Sequence, residues 1–149
     1  MPPSHGGSHR FESCSAHQGF LGFRKNPENG PTNKGKRSEA REMSERALSV
    51  SRQADPHVRL SVAVSASRIR AAADQAGTQQ IIASLENIIA ETQKLGYFGI
   101  ELEARLALGE VEMKSGAITR GRAHLQALRR DASQRGFKVL AGQAAAAAA

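Results

Sequence analysis

The chain has 149 residues, with 21 Lys and Arg against 14 Asp and Glu, a formal net charge of +7 and one Cys. Five Phe, one Tyr and no Trp are too few aromatic residues for a large β-sandwich core, and a single Cys excludes an internal disulfide. No run approaches the ~20 apolar residues of a membrane-crossing helix, and no apolar signal region follows the start, so a cytoplasmic all-α protein without a membrane partner is the expectation.

Residues 1–37 carry six of the 14 Gly and four of the 5 Pro, and "KNPENGPTNKGK" has no apolar period. Such a segment buries too little apolar surface to offset its ordering entropy, so the expectation is a disordered leader. It contains His5, His9, Cys14 and His17, whose spacing resembles a zinc ligand set. Only one thiolate is present and no framework lies between the pairs, so no metal or other cofactor is expected. "RFES" at 10–13 is also what the conserved arm of a transfer-RNA gene yields in one frame, and the leader is read as not natively coded.

From Ser38 onward apolar residues recur at helical spacing. The first predicted helix spans about 38–53, with Met43, Ala47 and Val50 on one face. Asp55 and Pro56 then form an N-cap and first helical residue for a helix over 56–76, with Val62, Ala66, Ile69 and Ala73 on its face and Gly77 at its end. The third helix, 79–95, aligns Ile81, Leu85, Ile88 and Ile89, and Gly96 is placed for the left-handed C-terminal turn. The fourth, 98–115, aligns Leu102, Leu106, Gly109 and Met113 before Gly116. The fifth, 118–135, carries Leu125 and Leu128, and the last covers 138–149.

These faces repeat after forty residues: Val62 to Leu102, Ala66 to Leu106, Leu85 to Leu125 and Ile88 to Leu128. Tyr97 after Gly96 matches Phe137 after Gly136. A forty-residue unit of two helices predicts an α-solenoid of antiparallel hairpins, because one hairpin leaves an apolar face that the next one covers. An Ala-rich bundle of four to six helices is the alternative.

Leu108-Gly109, Gly116, Gly121, Leu125 and Leu128 resemble a tetratricopeptide repeat. Arg105 and Glu112 stand where that family often has Trp and Tyr, no proline ends the unit, and the period exceeds the usual thirty-four or so residues. The stretch from Leu95 to Phe137 is similar to the C-terminal repeats of large bacterial tetratricopeptide proteins that carry kinase-like or winged-helix domains. The resemblance, over about residues 40–149, implies a fragment of such a protein.

Three surfaces are candidates for function. The first helices of the repeats would line a peptide groove with Ser67, Arg70, Asp74, Glu103, Glu110 and Lys114. A basic stripe, Arg120, Arg122, Arg129, Arg130, Arg135 and Lys138, with Lys114 and His124, could contact nucleic acid or another acidic surface. The competing expectation is that the acidic helix before it, with Glu101, Glu103, Glu110 and Glu112, folds back and pairs with it. No catalytic motif is present: no glycine-rich phosphate loop, no metal-binding helix motif and no nucleophile turn. The expected role is non-catalytic, a protein–protein interaction scaffold with a protein or peptide partner; nucleic-acid binding is the weaker alternative, and self-association is left open.

Overall fold

The computed structural model describes residues 31–73 and 77–149, with side chains from Gly35 onward. The His5, His9, Cys14 and His17 set and Asp74 lie outside the described residues, as does most of the expected leader. The described residues form six helices: α1 (Pro31–Ser51), α2 (Pro56–Ala73), α3 (Thr78–Leu95), α4 (Phe98–Lys114), α5 (Ile118–Gln134) and α6 (Lys138–Ala147). None is long and apolar enough to cross a membrane.

α1 begins at Pro31, seven residues before the expected start. Proline suits a first helical position, where its missing N–H would have no intrahelical partner. Asp55 caps α2 as expected, its Oδ1 accepting the His57 N–H at 2.8 Å. The next turns share one design. Gly96, Gly116 and Gly136 take φ of 72°, 88° and 84°, a left-handed conformation open to glycine without a Cβ penalty. In each turn the following residue's N–H bonds back to a buried position: Tyr97 to the Thr92 carbonyl at 2.9 Å, Ala117 to Glu112 at 3.0 Å and Phe137 to Ala132 at 2.8 Å. This is the Schellman closure, which satisfies the carbonyls a helix end would otherwise leave unpaired. Gly77 differs, with φ of −93° in front of α3.

Each helix packs on its neighbours in sequence; α2 also packs on α4, and α4 on α6, while α3 and α5 make no close contact with each other. Two cores result. Leu60, Val64, Ile81, Ile82, Leu85, Ile88, Ile100, Ala104, Ala107, Leu108 and Val111 join α2, α3 and α4. Leu102, Leu106, Leu125, Leu128, Ala132, Ala141 and Ala144 join α4, α5 and α6. α4 is therefore the wall between them and is buried on both sides. Its expected face (Leu102, Leu106, Gly109) serves one core, and the opposite face serves the other. The α4–α5 crossing is tight: a Cβ added at Gly121 would lie 2.9 Å from the Met113 backbone nitrogen and 3.0 Å from the Gly109 carbonyl oxygen.

α1 corrects one expectation. Met43, Ala47 and Val50 face solvent, Met43 at 57% and Val50 at 81% exposure. The helix instead meets α2 through buried Ser44 and Ser51 and half-buried Leu48. One residue along a helix rotates the face by about 100°. The serine hydroxyls are satisfied inside α1, donating to the Arg41 and Leu48 carbonyls at 2.7 and 3.1 Å, so small side chains pack without an orphaned polar group.

Candidate functional site

The absence of contact between α3 and α5 leaves a cleft floored by α4. Two cavities occupy it. One, about 580 Å³, lies where α3 and α5 begin and α4 ends; Gln79, Ile82, Val111, Lys114 and Arg120 are among its walls. The other, about 520 Å³, is lined by Glu86, Ile89, Ala90, Gln93, Arg105, Leu108, His124 and Ala127. The walls follow from helical spacing: Gln79, Ile82, Glu86, Ile89 and Gln93 are one stripe of α3, and Arg120, His124 and Ala127 one stripe of α5.

Between one residue of each cavity wall, Arg120 and His124, lies Glu112, whose side chain has no exposure. Its Oε2 is 2.7 Å from His124 Nδ1. Its Oε1 is 2.6 Å from Arg120 Nε, but the approach is off the axis of a hydrogen bond, so this contact is an ion pair. Taking a carboxylate out of water costs several kcal/mol unless its charge is matched, and Arg120 supplies the match. Arg120 forms part of one cavity wall and His124 of the other.

A second polar cluster bounds the cleft. Arg105 lies 2.8 Å from Asp131 of α5 and 3.6 Å from Glu101 one turn away, and Gln93 of α3 donates to Glu101 at 3.1 Å. Three helices are thereby tied together at one level. On the far side of α3, Arg59 of α2 grips Glu91 through both guanidinium nitrogens. That bond holds the Glu91 carboxyl below its ordinary value and raises Arg59 above its own.

The six residues expected to line a groove do not converge. Ser67 is buried and donates to the Ala63 carbonyl at 2.8 Å. Arg70 lines a small recess beside Arg41. Glu103 is exposed in a recess with His57 and Tyr97. Glu110 pairs with Arg68 of α2 at 3.1 Å. Asp74 is outside the described residues, and Lys114 alone reaches the α3–α5 cleft. The basic stripe also divides. Arg120 pairs with Glu112, Arg122 donates to the Ala148 carbonyl at 3.2 Å, and the Arg135 guanidinium carbon lies 3.9 Å above the centre of the Phe98 ring. Lys114, Arg129, Arg130 and Lys138 have no ion pair among the described residues. The expected pairing of α4 acids with α5 cations is met by Glu112 with Arg120; Glu110 turns to α2 instead.

The role of Glu112 with His124 was not anticipated. One signal was available: a charged residue at a position that the resembled family fills with an aromatic ring. Among the described residues no cluster of His, Cys, Asp and Glu has the makings of a metal site. No family model matches the chain, and no curated protein or solved structure matches it.

Proposed function

We propose that the chain is a helical-repeat interaction module, a solenoid of antiparallel hairpins similar to tetratricopeptide arrays, which binds a protein segment in the cleft between α3 and α5 and performs no chemistry of its own. The observation that carries this reading is the helix contact pattern: α2, α4 and α6 stack while α3 and α5 stay apart, so the array holds open a cleft along both helices. The cleft combines apolar residues of its α4 floor (Leu108, Val111) and α3 wall (Ile82, Ile89) with polar side chains on both walls, the composition suited to a helix laid into a groove. The identical turns at Gly96, Gly116 and Gly136 support a repeating array over an irregular bundle.

Selection of a displayed peptide library against the full chain tests this, with an Ala90→Arg, Ala127→Arg double variant as counter-selection. Both alanines line the cleft and neither is fully buried, so the variant keeps both cores. A peptide consensus that binds the native chain and not the variant is expected. No consensus, or one indifferent to the variant, overturns the proposal.

A further inference from the structure

The three Schellman turns allow the same positions to be compared at twenty-residue spacing. Glu112 is equivalent to Thr92 before it and Ala132 after it. All three are fully buried, and each offers its carbonyl to the turn. Arg120 is equivalent to Ile100 and Leu140, and His124 to Ala104 and Ala144. Two of the three turns thus place small or apolar residues where the α4–α5 turn places a carboxylate, a guanidinium and an imidazole. The fold closes this turn without charge, and a buried ion pair is generally no more stabilising than apolar residues of similar volume. Stability does not account for the trio.

Its geometry does suggest a use. Glu112 engages Arg120 through Nε and His124 through Nδ1. A guanidinium has five N–H donors, and the terminal nitrogens of Arg120 make no hydrogen bond among the described residues. The Lys114 ammonium has no hydrogen bond there either, while His124 spends its Nδ1 on Glu112. Arg120 and His124 are about half exposed, on the walls of the two adjoining cavities. The carboxylate beneath neutralises one charge and fixes the direction of both side chains, much as a buried carboxylate orients a metal-bound or catalytic imidazole. What the cleft then presents is the Arg120 guanidinium held by Glu112, the exposed Lys114 ammonium beside it, and His124 with Nδ1 turned inward to the carboxylate. Among the described residues, Glu86 is the one acid in either cavity wall.

We infer that Arg120, held by Glu112, together with Lys114 recognises carboxylate side chains of an acidic amphipathic peptide whose apolar face lies against the cleft residues Ile82, Ile89, Leu108 and Val111. This rests on the interaction-module reading above and names the partner's chemistry. Arg120 and Lys114 contact the peptide carboxylates, while Glu112 is a positioning residue acting through Arg120, and His124 packs on the same carboxylate from the other cavity wall.

The test uses the full chain and fluorescence anisotropy. The probe is a short labelled peptide with Leu at helical spacing and Glu elsewhere; the comparison probe has every Glu replaced by Gln. The acidic probe should bind at least about tenfold more tightly, as expected for charge-assisted over neutral hydrogen bonds. The decisive variant installs the residues of the preceding turn: Glu112→Thr, Arg120→Ile and His124→Ala together. It should keep the native melting temperature or raise it, and bind both probes alike. Glu112→Gln alone should weaken the acidic probe while leaving the Gln probe unchanged. Equal binding of the acidic probe by the triple variant overturns the inference. So does single-stranded DNA that displaces the acidic probe as well as the unlabelled peptide does, because the surface is then a general polyanion site. Equal affinity for both probes, abolished by Ala90→Arg and Ala127→Arg, overturns acid recognition and leaves the interaction module standing. Failure of every peptide, in this assay and in the library selection, overturns both.

Discussion

Gly121 shows how one hydrogen-sized side chain sets a helix–helix distance. Its Cα faces the α4 backbone so closely that a methyl group would meet Met113 N and Gly109 O inside van der Waals contact. Backbone atoms cannot swing aside as a side-chain tip can, so α5 would have to back away and loosen Leu125 and Leu128, both fully buried. Gly121→Ala should therefore cost about 1–3 kcal/mol, in the range of overpacked cores. Gly142, on α6 with open space around it, should gain about 0.5–1 kcal/mol on conversion to Ala, because only backbone entropy changes. Thermal unfolding followed by circular dichroism on the two variants checks the opposite signs. The sequence comparison singled out Gly121 as a small residue at a packing position, and Gly109 beside it. It marked Glu112 as a departure from a family habit and as one of four acids facing a basic helix, but nothing in a linear pattern says which of the four will be buried or which side chains of the other helix will close over it.

Between elements, the Arg59–Glu91 grip joins α2 to α3. Because Glu91 titrates below its ordinary 4.5 in the folded chain, its contribution is present at neutral pH and is lost as pH falls through the lowered value; Arg59 stays charged throughout. Glu91→Gln should thus lower the melting temperature slightly near neutrality, and the gap to the native chain should close below about pH 4. The effect is small because both side chains are more than a third exposed. A pH series of melting curves reads it directly. This pair was invisible beforehand, since residues 32 positions apart meet only once the hairpin is formed. Helix positions were far easier to read: Asp55-Pro56, Gly96 and Gly116 punctuate the chain by local backbone chemistry, and five of six helices begin within a residue of expectation. Faces were harder. For α1 the apolar stripe points to water, and for α4 a single stripe was sought on a helix buried on two sides, where amphipathic periodicity fades.

Across the whole molecule, stability is uneven by construction. α4 stands between both cores, whereas α1 belongs to neither cluster and, among the described helices, packs its backbone against α2 alone. Native-state hydrogen exchange should find the α1 amides exchanging well before those of α4, and equal protection of the two helices would contradict that ranking. The surface that the architecture opens most clearly, the α3–α5 cleft, is none of the three weighed from the sequence. It depends on which helices fail to touch, a property of the packing that no single helix encodes. The regular glycine turns carry a last consequence. From Gly96 to Gly136 one helix and its turn together consume twenty residues. In the repeating array proposed above, that spacing sets a parity: an insertion of twenty residues after Gly116 would exchange the sides on which the later helices pack and bring apolar faces to water, whereas an insertion of forty would restore them.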